Sequence, residues 1–462
     1  MSDLAEDPAV AKLRASGAGD AALRAFARHV ERVRAGETGL LAEADIEPVG
    51  DLPDAADLPA PSPSRLAEVL AQTVVVKLNG GLGTSMGLQG PKSLLQVREG
   101  LTFLDVIARQ LQHLRASRGV PVPLVLMNSF ATREPSLAAL DAHAGLDQAV
   151  PRDFLQGKVP KLLTDDLTPV SWDADPALEW APPGHGDLYA SLVTSGMLDA
   201  LREAGLRYAF VSNADNLGAT LDPALLDFFA ASGAPFLMEV ADRTPADRKG
   251  GHLAVRRGGG LALREIAQTP EEDVAAFQDV ARHRYFNTNS LWVDLDALQE
   301  ALEAGGGALD LPLIVNRKTV DPKDPGSPAV LQLETAMGAA IDVWEGAQAV
   351  RVPRGRYSPV KTTNDLLAIR SDAYVLTDDQ RVQLAPERDG RPPEIDLDTP
   401  FKLVGGFEER FPEGPPSLLA CERLEGAGDV AFEGGVVVRG RVRVAQEGPA
   451  RHTVPAGTVL EG

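Results

Sequence analysis

A chain of 462 residues is longer than one compact core usually organises, so two or three domains are expected. Hydrophobic residues make up 44% and charged residues 24%, an ordinary soluble composition that excludes bulk disorder. The 66 acidic residues against 45 basic ones give a formal net charge of -21, a field that repels phosphate backbones and excludes a nucleic-acid partner. Any cation that meets a phosphate substrate must therefore be placed individually. Cys421 is the only cysteine, which rules out an intramolecular disulfide or a cysteine-based metal cluster. The opening MSDLAEDPAV lacks the basic start and apolar stretch of a signal peptide, and no apolar run is long enough for a bilayer. A cytoplasmic protein with no membrane partner is the expectation.

Residues 1–46 read as helical, with Leu13, Leu23, Phe26, Val30 and Val33 on a roughly helical period. Pro48 to Pro63 is rich in Pro, Asp and Ala and reads as a linker, which makes the N-terminal helices an appendage. From Thr73, short apolar runs predict buried strands at Val74–Leu78, Leu124–Met127, Tyr208–Val211 and Phe236–Val240. Helix-length segments lie between them, at Leu101–Arg115, Leu188–Ala204 and Pro223–Ala231. Such alternation predicts a mostly parallel α/β sheet, whose ligands bind outside the carboxyl ends of the strands. Polar clusters fall just there: Asn79-Gly80-Gly81, Asn128-Ser129 and Ser212-Asn213-Ala214-Asp215. A Pro- and charge-rich passage from Ala385 marks a boundary. Beyond it, Gly428–Gly462 is Val- and Gly-rich on a near six-residue beat, which fits a parallel β-helix or a β-meander about equally.

Five segments carry chemistry. LNGGLGTSMGLQGPKS, Leu78 to Ser93, follows a strand directly, and its glycines let backbone amides approach an anion. It is neither a Walker loop nor a GxGxxG fingerprint, because Pro91 precedes Lys92 and Gly83 is followed by Thr84, Ser85 and Met86. Lys92, after a proline that pins the backbone, favours phosphate. WAPPGHGDLYAS holds His185 and Asp187 in a rigid turn ahead of a helix, which suits a His that hydrogen-bonds substrate and does not act as a base. In YAFVSNADNLGA, Asp215 sits at the mouth of a strand, where a carboxylate needs a partner. Mg²⁺ beside nucleotide phosphates is the natural one, since Asp222 already serves to cap the next helix. RYFNTNSLWVDL alternates and places Asn287 and Asn289 on one face, either for sugar hydroxyls or for structure. Lys361 follows Pro359-Val360 and, taken alone, reads as solvent-exposed.

Together these segments resemble the UTP–glucose-1-phosphate uridylyltransferase (UDP-glucose pyrophosphorylase) family in its eukaryotic form. The resemblance rests on LNGGLGTSMGLQGPKS, GLTFLDVI, NSF, PPGHGDLYAS, FVSNADNLGAT, MEV…KGG, FNTNSLW, LQLETAMGAAI and PVKTTNDLL, in the family's order from about residue 74 to 370. The C-terminal GDV…PAGTVLE also looks like the family's β-helix end. It implies an α/β fold: a Rossmann-like, mixed-sheet, GT-A-like nucleotidyltransferase domain at 71–380, after an N-terminal helical segment and linker at 1–70. A C-terminal left-handed parallel β-helix would occupy 381–462, and its exposed end would offer a surface for homo-oligomers.

The resemblance also implies roles. Leu78, Asn79, Gly80 and Gly81 would contact UTP, Lys92 would bind its phosphates, and Gln156 with Gly184 would read the uracil. Asn213 and Asp215 would lie at the nucleotide, Asp215 holding Mg²⁺, while Lys361 would neutralise phosphate charge. His185 would touch the sugar phosphate, with Gly251, Asn287 and Asn289 lining the sugar pocket. Departures from the usual pattern are QGKVPK at the uracil segment, Ala131 for Asn in NSFAT, and Ser290 ending NTNS. The reaction implied is an in-line displacement in which glucose 1-phosphate attacks the α-phosphorus of UTP and pyrophosphate leaves. Two alternatives are a broader pyrophosphorylase that also takes galactose 1-phosphate and a catalytically silent UDP-sugar sensor. Keeping Lys92, Asp215 and Lys361 together argues for catalysis.

Overall fold

The computed structural model describes residues 7–448 and 450–462. Its centre is a ten-stranded mixed sheet. The main path runs Ile46–Pro48, His252–Arg256, Tyr285–Asp294, Tyr208–Asn213, Thr73–Asn79, Leu124–Asn128, Asp153–Leu155. Phe236–Asp242 pairs with Tyr285–Asp294 and, on its other edge, with Gln348–Arg351. The four predicted strands are present, but the sheet is less parallel than the alternation suggests. Tyr285–Asp294 runs antiparallel to both Tyr208–Asn213 and Phe236–Asp242.

The central strand shows why the sheet forms. Val74 and Val76 point into one apolar layer with Met127, Leu188 and Val211, while Val75 points into the other with Ile107, Leu124 and Phe210. Alternation with both faces buried is the pattern of a strand covered by helices on either side. Lys77 falls on the Val75 side, and its Nζ donates to Ser212 Oγ at 2.7 Å and to Ala219 O at 2.7 Å. Helices Phe103–Arg118, Asp187–Thr194, Met197–Glu203 and Pro223–Ser232 cover the faces. The single helix expected at Leu188–Ala204 is two, broken where Gly196 takes φ of 72°. Asp222 caps Pro223–Ser232 by accepting from Ala224 N and Leu225 N, as its position suggests.

The N-terminal segment is no appendage. Its helices Pro8–Ala15 and Asp20–Arg34 end well before residue 46 and bury Val10, Leu13, Phe26 and Val30 against Leu162, Leu313, Leu331 and Leu333. Between the helical stretch and the expected linker, the strand Ile46–Pro48 joins the sheet edge.

At the C-terminus the meander is excluded, because every strand pairing from Glu394 onward is parallel. Ser417 pairs with Val437 and Val437 with Val459, so successive parallel strands pair at spacings of 20 and 22 residues. Phe401, Phe407, Leu424 and Val442 belong to the same apolar layer as Phe103 and Val360. The C-terminal strands therefore pack directly on the central sheet's outer layer. Among the described residues no helix is long and apolar enough to cross a membrane.

Candidate functional site

Strand register places the polar clusters side by side. Leu78 pairs with Asn213 on one neighbour and with Met127 on the other; Asn79 pairs with Asn128, and Asn128 with Leu155. The carboxyl ends of these parallel strands therefore deliver Leu78–Gly81, Asn128, Gln156 and Asn213–Asp215 to one sheet edge. Asn79 is buried there, and its Nδ2 donates to Asn128 Oδ1 at 2.7 Å and Ser136 Oγ at 2.8 Å. Its side-chain amide is thus spent on bracing the strand ends, leaving the backbone to face a ligand.

The glycine-rich loop closes on itself through Lys92 N, which donates to Gly81 O at 3.0 Å. A Cβ at Gly80 would lie 2.2 Å from Gln156 Oε1, so the loop and the expected uracil reader are in contact. Gln156 is fixed by its N–H to Asn128 O at 2.8 Å. The next amide, Gly157 N, donates to the buried Asp187 carboxylate at 2.6 Å. Burial raises the Asp187 pKa, against the hydrogen bonds from Ser191 and Gly157 that favour its charge. Asp187 therefore ties the Gln156 segment to the Pro182–His185 turn.

That turn lies on the strand Ala329–Thr335. Gly184 has φ of 78° and a Cβ there would sit 2.3 Å from Thr335 O, so only glycine fits. His185 follows, and its Nδ1 accepts from Met337 N at 2.9 Å. An acceptor at Nδ1 leaves the proton on Nε2. Burial pushes its pKa down to about 4, so the ring is a neutral donor and no acid–base catalyst near neutral pH.

The phosphate end holds the expected trio. Lys92 Nζ reaches Asp215 Oδ2 at 2.6 Å, while among the described residues Asp215 Oδ1 has no hydrogen-bond partner. Lys361 Nζ donates to the Tyr357 hydroxyl at 3.0 Å. Burial works to lower the Lys361 pKa, but Tyr357 and the Asp215 and Asp365 carboxylates outweigh it and hold it raised. Lys361 is thus a permanent cation within electrostatic reach of Asp215, and it is exposed, as its local sequence suggests.

Gly251, Asn287 and Asn289, the residues expected at the sugar, also gather, in a geometry the alternating strand does not give. Between Glu239 and Val240 the pairing with Tyr285–Asp294 shifts by a bulge, and Asn289 takes φ of 57°. Asn287 Nδ2 then donates to Asn289 Oδ1 at 2.9 Å. Asn287 N donates to Gly251 O at 3.0 Å, which joins Gly251 to the pair.

A residue the sequence reading missed completes this side. The Glu265 carboxylate lies against Gly251, where a Cβ would come within 2.5 Å of it. Burial raises the Glu265 pKa, opposed by the Lys361 ammonium. A carboxylate so placed suits sugar hydroxyls. Nothing in the local sequence LREIA marks it; only the fold brings it against Gly251.

A cradle of strand-end amides, two lysines and one carboxylate on a mixed α/β sheet defines a nucleotide-binding transferase. Sequence and structure comparisons narrow the class. The UDPGP family model, described as UTP–glucose-1-phosphate uridylyltransferase, matches residues 23–439, and the chain belongs to that family. It is 43% identical over 400 residues to the UTP–glucose-1-phosphate uridylyltransferase of Solanum tuberosum, covering 86% of this chain and 82% of that one. The Saccharomyces cerevisiae protein of the same name is 42% identical over 393 residues, covering 85% and 77%. A mutant UDP-glucose pyrophosphorylase from Leishmania major, solved in complex with UDP-glucose, superposes with a TM-score of 0.92 at 44% identity. The match covers 98% of this chain and 97% of that one. A UDP-glucose phosphorylase from Trypanosoma brucei gives 0.89 at 46% identity, with the same coverage of 98% and 97%.

Proposed function

We propose that this chain forms UDP-glucose and pyrophosphate from UTP and glucose 1-phosphate. The observation that carries the reading is the convergence of Lys92, Asp215 and Lys361 at the mouth of a glycine-rich strand end, beside a polar cluster of Gly251, Glu265, Asn287 and Asn289. A phosphate oxygen of glucose 1-phosphate bonds to the α-phosphorus of UTP as the bond to the β-phosphate oxygen breaks. The nucleophile is already an anion, so no general base is required, in keeping with a His185 that is held neutral. What the protein supplies is positioning and charge.

On this reading Gly80, Gly81 and Lys92 wrap the triphosphate, and Gln156 and the Gly184 turn hold the uracil. Leu78 and Asn213 flank the nucleotide from adjacent strands. His185 donates from Nε2 to the sugar phosphate. Glu265, Asn287 and Asn289 orient the hexose, and Lys361 faces the charge that develops between the two substrates. The donor set also fits a divalent cation. Among the described residues no cluster of three or more His, Cys, Asp or Glu could hold one alone, but Asp215 keeps a free oxygen. Mg²⁺ binds through one or two carboxylates plus substrate phosphate oxygens, so Asp215 and UTP together would hold it. There it would supply neutralisation of the phosphate charge.

The division into 1–70, 71–380 and 381–462, a left-handed twist of the C-terminal coils, homo-oligomers through their exposed end, and a cytoplasmic setting belong to the same proposal. The parallel stacking of the coils supports the β-helix part of it. The reverse reaction tests the function. With UDP-glucose, pyrophosphate and Mg²⁺, the protein should produce UTP and glucose 1-phosphate in equal amounts, and a chelator should stop it. Intact UDP-glucose would contradict the function; turnover indifferent to the chelator would contradict the metal.

A further inference from the structure

The reaction needs Asp215 and Lys361 at a fixed separation, yet they sit on chain segments remote in sequence. One side chain joins those segments. Asn216 is 2% exposed. Its Nδ2 donates to Arg356 O at 3.1 Å, and its Oδ1 accepts from Ser358 N at 2.9 Å and from Gly218 N at 3.2 Å. The amide thus pairs with one carbonyl and one N–H of the opposite segment, as a peptide unit of an adjacent strand would. The backbones continue the pairing through an Asn216–Pro359 bridge and through Val360 N, which donates to Asp215 O at 3.2 Å. Contact is close enough that a Cβ at Gly218 would lie 2.4 Å from Gly355 O.

The far side of the clamp is anchored in the sheet. Arg356 makes a two-pronged ion pair with buried Glu239, Nε to Oε2 at 2.7 Å and Nη2 to Oε1 at 2.7 Å. The same guanidinium donates to Thr220 O at 2.9 Å, and Trp292 Nε1 donates to Glu239 at 3.0 Å. Planar, bidentate pairing of this kind fixes direction as well as distance. The Lys361 segment is therefore held at Arg356 by the sheet and at Arg356–Val360 by the Asp215 segment.

We infer that Asn216 is a positioning residue for the transfer step, setting the Asp215–Lys361 separation by clamping the two segments together. Both polar atoms of its side chain are spent inside the protein, so it acts through its neighbours and not on substrate. Only an amide serves, because aspartate would lose the donor and turn a carboxylate oxygen toward Arg356 O. The inference rests on the roles given above to Asp215 and Lys361.

Its test is a double-mutant cycle in the full chain, read by steady-state formation of UDP-glucose. Asn216→Ala should lower kcat about 100-fold, the cost of a roughly 1 Å misplacement, while the KM for UTP stays within about threefold. Lys361→Ala should lower kcat about 1,000-fold. The double variant should fall within about threefold of Lys361→Ala alone, because a mislaid lysine that is absent costs nothing further. The thermal midpoint serves as the structural control: its drop on Asn216→Ala should be the same in both backgrounds, unlike the drop in kcat. If Asn216→Ala does not fold, Asn216→Asp should show the same coupling. Losses that multiply in the double variant, or a kcat unchanged by Asn216→Ala, would overturn the clamp. A Lys361→Ala enzyme with normal kcat would instead overturn the site assignment beneath it.

Discussion

On the proposed function, the nucleotide and sugar sides of the site are built differently. The nucleotide side is largely backbone: strand ends in register, a glycine-rich loop closed by Lys92 N to Gly81 O, and a turn whose Gly184 has room for no side chain. The sugar side is largely side chain, with Asn287 and Asn289 from one strand and Glu265 from the end of a hairpin brought together around Gly251. Backbone donors are common to every sequence that can adopt the turn, so they specify a phosphate and a plane. Side-chain donors and acceptors can be exchanged singly, so they specify which sugar. The difference predicts that damage on the nucleotide side is general and damage on the sugar side is selective.

Removing Lys92 should break the comparison most severely, since the transfer step loses a cation whichever sugar is offered. Lys92→Ala should lower kcat about 1,000-fold with the fold intact, checked by circular dichroism alongside turnover. Near-normal turnover would remove Lys92 from the site. Gly184→Ala comes next. Its Cβ meets the Thr335 carbonyl at 2.3 Å and its φ of 78° is strained for alanine, so a stability loss of about 3 kcal/mol should accompany weaker UTP binding. Calorimetry would detect both, and unchanged UTP affinity would take the turn out of the base pocket. Glu265→Ala sharpens the contrast: the KM for glucose 1-phosphate should rise about 30-fold, the worth of a charged hydrogen bond, while the KM for UTP holds. A rise shared by both substrates would erase the distinction between the sides.

The smallest effect concerns pH. His185 is held at about 4 in the folded chain by burial and ordinarily titrates near 6.5. Above 6.5 both states are neutral and the group contributes no pH dependence. As pH falls toward 4 the unfolded chain takes up a proton that the folded chain refuses, so stability is lost. At pH 5.5 this amounts to about 1 kcal/mol from His185. Burial also pushes His29 down to about 4 and His252 to about 2, so the whole protein should weaken on acidification. Comparing thermal midpoints of the wild type and His185→Gln at pH 7.5 and 5.5 isolates the one residue. Parallel losses in the two proteins would show that His185 does not resist protonation.

How much of this was legible in the sequence follows the same division. Leu78–Ser93 could be read because backbone chemistry is written in consecutive residues, and register then places Asn213–Asp215 beside it. Glu265 could not, because its significance comes from burial against Gly251 and not from its neighbours in LREIA. Asn287 and Asn289 could be named as candidates, but a bulge and a left-handed Asn289 set their geometry, and strand alternation is blind to both. For the N-terminal helices, the period shows an apolar face and not what it packs on, which is Leu313, Leu331 and Leu333 far along the chain. At the C-terminus, composition showed strands; only the pairing of Ser417 with Val437 and of Val437 with Val459 shows that they run parallel.

The most direct test of the account is pyrophosphate release from UTP and Mg²⁺ with glucose 1-phosphate, galactose 1-phosphate and N-acetylglucosamine 1-phosphate offered separately. The account predicts rapid release with glucose 1-phosphate and far slower release with the other two. No release with any of them, from folded protein that still binds UTP, would contradict it.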